Sequence, residues 1–314
     1  MMSHTVQHDG IAVEQPELRS GFVVVGVSTA FPAHDRSIPA ASEWAARRRA
    51  DLKLVVGLDP TDAEDDPRPR FALAEIDRVA DHLALKLDPS QRIATSVSHH
   101  SAVDTLVAES SAAGLVVVQR RRMGPWARLR AGSTSGVVAA RADSPVLIMH
   151  GDDPVPDPLG DRAGVLVGVD GRGHAGRAIA EAFDEASWRG VPLTAAIVWT
   201  PLESTYVPPD VTELEFGTSS TAVTLSEQLA GYRDRYPDVA LHEIVLSGEP
   251  EPALVELSRD HGLLVVARHT EGRHGQRNLG STTRRIIEEA RCPVLVTPTA
   301  RPASVARRRQ PKHE

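Results

Sequence analysis

Asp170, at the end of the apolar run 165–169, and the tetrapeptide Gly280-Ser281-Thr282-Thr283 are the residues whose types and spacing could do chemistry. A Gly-Ser pair that opens a helix leaves backbone N–H groups without intrahelical acceptors and sets hydroxyls beside them, which suits an anion. The same pair also serves as a plain N-cap. No paired carboxylate, nucleophile or base is read as accompanying Asp170, so it is not expected to act as a catalytic acid. His99-His100 and the pair His269 and His274 lack nearby carboxylate or Cys partners, and no metal site is expected. Cys292, between a helix and an apolar run, reads as inert packing.

The elements that position these residues occur twice. Gly114-Leu-Val-Val-Val118 lies over Gly262-Leu-Leu-Val-Val266, and Gly132-Ser133-Thr134-Ser135 over Gly280-Ser281-Thr282-Thr283, each 148 residues apart. Ser144-Pro145-Val146-Leu147-Ile148 repeats as Cys292-Pro293-Val294-Leu295-Val296, and Val25-Gly26-Val27-Ser28 matches Val167-Gly168-Val169-Asp170. A period near 145 is the size of a domain and too long for a solenoid, so the chain reads as a duplicated domain.

Taken in order, residues 1–19 are polar and unpatterned and read as a mobile tail, with a first domain over 20–150. Apolar runs predict strands over 22–27, 52–57, 93–97, 115–118 and 146–149, with helices over 40–50, over the stripe Leu73, Ile76, Val79, Leu83 and Leu87, and over 103–112. The acidic, Pro-rich stretch 59–70 reads as a loop. Residues 151–162 hold four Asp and three Pro and read as a linker. A second domain over 163–299 repeats the order, with strands at 165–169, 193–199, 241–246 and the two runs flanking Gly280. Its helices are expected over 176–188, around Leu225, Leu229, Tyr232 and Tyr236, and over 252–260, with a long loop at 201–220 and a basic tail over 300–314. Strand and helix alternate throughout, which favours a parallel sheet covered by helices on both faces.

Composition excludes several classes of function. A chain of 314 residues accommodates two cores, and 41% apolar with 25% charged residues is ordinary for a soluble protein. A formal charge of −7 gives no overall positive field to attract nucleic acid. One Cys forms no intrachain disulfide and suits a reducing compartment, and no apolar run is long enough to span a membrane. A cytoplasmic protein is expected.

These motifs, in this order and twice over, resemble the universal stress protein family: Val167-Gly-Val-Asp170-Gly171 on a first strand, Gly280-Ser281 before the last helix, and Ala290-Arg-Cys-Pro-Val-Leu-Val296. The resemblance spans 20–150 and 163–299 and is similar to two-domain actinobacterial members. It implies an α/β fold of two tandem Rossmann-like domains of the adenine nucleotide alpha hydrolase-like kind, each a five-stranded parallel sheet of order 3-2-1-4-5. It further implies pairing of the domains through their last strands, 146–149 against 294–297, with a homodimer of whole chains as a further option.

In ATP-binding members, the resemblance implies, the strand-end Asp contacts adenine, and a Gly-x2-Gly-x9-Gly-Ser/Thr loop wraps the ribose and phosphates. The second half keeps Gly168, Asp170, Gly280, Ser281, Thr282 and Thr283, but Ala267 and Thr270 stand where the loop's first two glycines belong. Thr270 is β-branched and poorly suited to a positive φ, so the loop must take another path. The first half keeps only Gly132, Ser133 and Thr134; Ser28 replaces the Asp, and Gln119 and Arg122 replace the glycines.

Two functional readings follow. One is a stress protein that is not an enzyme and holds at most one weak adenine-nucleotide site, for ATP, in the second domain. The other is a scaffold acting through its surfaces, with both sites degenerate. Arg120, Arg121, Arg122, Arg128 and Arg130 in the first loop, and Arg268, Arg273 and Arg277 in the second, read either as a solvated face or as an anion-binding rim. Trp126 reads as local packing, with filling of the vacated pocket or contact with a partner as the alternatives.

Overall fold

Short runs of Val, Leu and Ile followed by helix-forming segments can bury both strand faces only if helices cover the sheet on each side. The computed structural model has that arrangement. It describes residues 5–8, 11–14, 18, 21–28, 36–61, 66–120, 134–150, 164–200, 213–268 and 279–299.

The first half contributes strands β3 (Val23–Gly26), β4 (Leu52–Gly57), β5 (Ile93–Ser98), β6 (Leu115–Arg120) and β7 (Val146–His150). Its helices are α1 (Ser37–Arg48), α2 (Arg68–Ala84), α3 (Ala102–Glu109) and α4 (Thr134–Arg141). The second half adds β8 (Val165–Val169), β9 (Leu193–Trp199), β10 (Leu241–Ser247), β11 (Leu263–Ala267) and β12 (Val294–Thr297). With them come α5 (Gly176–Arg189), α6 (Glu213–Arg235), α7 (Pro250–Leu257) and α8 (Ser281–Glu289).

All ten strands join one sheet in the order β10-β9-β8-β11-β12-β7-β6-β3-β4-β5, parallel within each half. Counted within a half, that order is 3-2-1-4-5 in both. The halves meet where β7 runs antiparallel to β12, pairing Val146 with Val296, Leu147 with Leu295 and Ile148 with Val294. Leu147 and Leu295 are equivalent positions of the repeat, and they lie opposite one another. The ladder is therefore isologous, with a pseudo-twofold axis through that pair. Alternation along the strands sends Leu147 and Leu295 into one core and Val146, Ile148, Val294 and Val296 into the other, so each core extends through both halves.

The seam is reinforced on both faces. On one, α1 meets α5. The carboxylate of Glu185, only 2% exposed, accepts from Trp44 Nε1 at 2.8 Å, Arg48 Nη2 at 3.2 Å and Arg189 Nε and Nη2 at 2.9 and 2.8 Å. The Arg48 guanidinium also lies 4.1 Å from the Trp44 ring centre and 4.3 Å from that of Trp188.

On the other face each half reaches across to cap the other's last helix. Arg268 is 6% exposed, and its backbone N–H continues the β11–β12 ladder through the Thr297 carbonyl at 2.7 Å. Its Nη1 donates to the carbonyls of Ala139, Ala140 and Ala142 at 3.2, 2.9 and 2.8 Å, at the end of α4. The equivalent Arg120 donates through Nη1 to the Glu288 carbonyl at 2.6 Å, at the end of α8. His150 Nε2 lies 3.0 Å from the Ile287 carbonyl, and since a carbonyl only accepts, that nitrogen carries the proton. Cations at helix C-termini satisfy orphan carbonyls and oppose the negative end of the dipole.

Sequence and structure differ in three places. Thr5–His8 (β1) and Ile11–Glu14 (β2) form an antiparallel pair inside the stretch expected to be an unpatterned tail; Val6, Ile11 and Val13 supply β-formers that its polar average conceals. Helix α2 begins at Arg68, inside the expected loop 59–70, because Pro69 suits the first helical turn. Helix α6 begins at Glu213, inside the expected loop 201–220. Gly217 falls within that helix, and a Cβ there would overlap the Trp199 indole, so the glycine serves a close approach. The expected linker 151–162 and tail 300–314 lie outside the described residues.

Two measurements probe the seam. Arg268→Ala strips three buried carbonyls of a charged donor and is expected to lower unfolding stability in urea by about 3 kcal/mol, whereas Arg120→Ala, which removes the exposed bond to the Glu288 carbonyl, should cost about 1 kcal/mol. Burial raises the pKa of Glu181 above the ordinary carboxylate value despite the pull of Arg48 and Arg177. The folded state then holds this proton to higher pH than the unfolded chain, so the contribution is full below the unfolded pKa and lost as pH rises through the folded one. Glu181→Gln should therefore match the parent near pH 4 and exceed it in urea melts at pH 7.

Candidate functional site

In an open parallel sheet a ligand site forms beyond the carboxyl ends of the strands, where the winding direction reverses. In the second half this is between β8 and β11, which pair in parallel with Leu263 opposite Val165 and Val266 opposite Gly168. Asp170 leaves β8 next to the point where Arg268 leaves β11. Thr283 binds the start of α8 to the same edge, its hydroxyl donating to the Ala267 carbonyl at 3.4 Å. Asp170 follows β8, Ala267 ends the adjoining β11, and Thr283 reaches the Ala267 carbonyl, so all three elements meet the same carboxyl edge of the sheet, while Thr270 and the remaining loop arginines lie outside the described residues.

Each of these groups has local work. The Asp170 carboxylate closes its own loop, accepting the His174 backbone N–H at 3.0 Å and facing His174 Nδ1 at 2.8 Å. Gln228 of α6 donates to the Asp170 carbonyl at 3.2 Å, which ties the loop to the helix above it. Gly168 lies within the strand, where a Cβ would come 3.0 Å from Leu254 Cδ1; its bareness lets α7 approach the sheet. Gly280 is the N-cap of α8 and supplies no side-chain bond, so the first N–H groups of the helix are left to other acceptors. Ser281 is exposed. Thr282 donates its hydroxyl to Glu251 Oε1 at 2.8 Å, which brings a carboxylate to the helix start.

The first half is built differently at the matching edge. Ser28 follows β3 in place of an acid. The Gln119 side-chain carbonyl accepts the Arg36 backbone N–H at 2.5 Å, so it spans from β6 to the start of α1, where Ala267 offers only a methyl group. Thr134 opens α4 as Thr282 sits in the first turn of α8, but the residue matching Glu251 is Val103. Gly132, Ser133 and Trp126 lie outside the described residues.

An anion-binding rim of arginines was one expectation for both loops. Arg120 and Arg268 instead direct their guanidinium groups across the seam to helix ends, as described above. Sequence reasoning also missed His174 and Glu251. The first sits four residues after Asp170, a spacing that could have flagged it; the second is 31 residues from Thr282 and meets it only through the packing of α7 on α8. Among the described residues no group of three or more His, Cys, Asp or Glu is placed to hold a metal ion, and Cys292 is buried.

Comparison with known proteins agrees with this architecture. The model of the universal stress protein family matches residues 23–150 and again 164–298. A universal stress protein of Mycolicibacterium smegmatis is 37% identical over 204 residues, covering 65% of this chain and 68% of the relative. One of Mycobacterium bovis is 31% identical over 307 residues, covering 87% of this chain and 94% of its own. Among solved structures, a universal stress protein of Archaeoglobus fulgidus superposes with a TM-score of 0.64 at 16% identity, over 88% of this chain and 96% of that one, a likeness of fold. With the family model matched twice and the sheet wound twice in the same order, the chain belongs to the universal stress protein family as a tandem member.

Proposed function

We propose that this universal stress protein is a non-catalytic, cytoplasmic stress-response protein with at most one weak adenine-nucleotide site, in the second domain. The observation that supports the reading is a shared sheet edge: β8, which ends just before Asp170, pairs with β11, and Thr283 donates to the Ala267 carbonyl at the end of β11. At the matching edge of the first domain the acid is Ser28, and Gln119 bridges to α1. A carboxylate at the strand end can accept from an exocyclic amine, and the free N–H groups of the α8 start can face a ribose or phosphate oxygen. Weakness follows from competition, because a ligand must displace His174 from Asp170 and meet Glu251 beside Thr282. The cytoplasmic placement draws on the single buried Cys292 and on the lack, among the described residues, of a helix long and apolar enough to cross a membrane.

That same competition favours a second reading, in which neither domain binds nucleotide and the protein works as a scaffold. Calorimetric titration of ATP separates the two. The expected result is one site per chain with Kd of about 0.1 mM or weaker, equivalent to about −5.5 kcal/mol, lost in Asp170→Ala. Two equivalent sites, or tight binding that survives the substitution, would overturn the assignment. No heat from any adenine ligand would leave the scaffold.

A further inference from the structure

We infer that α2 is a self-association surface, where two copies of the chain meet antiparallel about a twofold axis at Arg78. Phe71 near the start of α2 and Leu85 at its C-cap are 74% and 85% exposed. The opposite side of the same helix is buried through Ala72, Ile76 and Leu83. Phe71 and Leu85 are close to four helical turns apart, about 21 Å, so both lie on one outward ridge. The equivalent ridge of the second domain, on α6, offers Val223 alone, with the exposed acids Glu227 and Asp234 along the same line.

The order of residues on the ridge selects a second copy as the partner. Arg78 lies midway between the two apolar residues, so a twofold axis there sets Phe71 of each copy on Leu85 of the other. The charged residues fit the same axis. At about 100° per residue, Glu75, His82 and Lys86 fall on one side of the ridge, and Arg70, Ala74 and Asp81 on the other. The axis reverses the helix direction and keeps like sides together. Glu75 therefore falls opposite His82, Asp81 opposite Ala74, and Lys86 beside the Phe71 ring of the other copy. The two Arg78 side chains face each other, but each is held by its own Glu75 at 2.9 Å and comes within a turn of the other copy's Asp81. Arg70 reaches the solvated rim. Arg68, Asp77 and Asp88 are engaged within the chain, by Asp66, Thr95 and Ser90. Because α6 has no second apolar anchor, the contact closes as a dimer and does not propagate.

Sedimentation equilibrium of the full chain tests this. One helix pair is a small interface, so a weak dimer is expected, with Kd of about 10–100 µM. Phe71→Glu and Leu85→Glu should each raise Kd about tenfold or more. Their urea midpoints on dilute protein should match the parent, since both positions are exposed. The geometry is read separately: Arg78→Cys should cross-link to itself through a short bismaleimide, and Val223→Cys should not. Cys292 is buried and does not compete. A chain that stays monomeric at about 1 mM overturns the inference. So does a dimer indifferent to both Glu substitutions, or one that cross-links equally through Val223→Cys. A lowered urea midpoint in Phe71→Glu overturns it as well, because the ridge would then be covered by another part of the same chain.

Discussion

The antiparallel ladder between β7 and β12 is the contact on which the rest of the molecule depends. A five-stranded parallel sheet ending in a strand as apolar as Val-Leu-Ile-Met or Val-Leu-Val presents an edge that water solvates poorly and other chains can pair with. Joining two such edges removes both at once and makes each hydrophobic core continuous through the two halves. Because Leu147 faces its own counterpart Leu295, the contact is self-complementary. A single set of residue types, written twice, satisfies both sides.

Antiparallel pairing also decides what lies beside each candidate site. With β7 and β12 running in opposite directions, the end of α4, which feeds β7, comes next to the carboxyl edge of the second domain. The negative end of the α4 dipole therefore lies close to where the second site loop begins. Arg268, the first residue of that loop, is drawn into neutralising it, and Arg120 does the same for α8. Arginines that seemed free for an anion are thus used by the joining of domains. This follows from strand direction and helix polarity and could not be read from the loop sequence, where an Arg-rich run looks the same whichever way its side chains turn.

Local signals in the sequence carried most of the fold. The repeats around Gly114 and Gly262, and around Val146 and Val294, gave the two domains and their strands, because a buried parallel strand requires a short apolar run wherever it occurs. That β8, which precedes Asp170, and β11 are neighbours at the centre of the second half was legible for the same reason, once the strand order was assumed. Contacts between distant segments were not legible. Glu251 reaches Thr282 and Glu185 gathers Trp44, Arg48 and Arg189 only after helices pack. Nor was the approach of the Trp199 indole to Gly217 within α6 legible.

The internal comparison of the halves suggests why they differ where they do. At the seam, several equivalent positions carry the same or similar residues, Arg120 and Arg268, Leu147 and Leu295, Val146 and Val294, although His150 has Pro298 as its counterpart. A twofold interface uses each of these twice, so a change in one copy alone leaves its partner without a complement. The crevices lie apart from the axis and are under no such constraint. Ser28 can differ from Asp170, Gln119 from Ala267, and Val103 from Glu251 without cost to the pairing. Duplication followed by symmetric joining thus holds the scaffold fixed in both copies and leaves the two sites free to diverge.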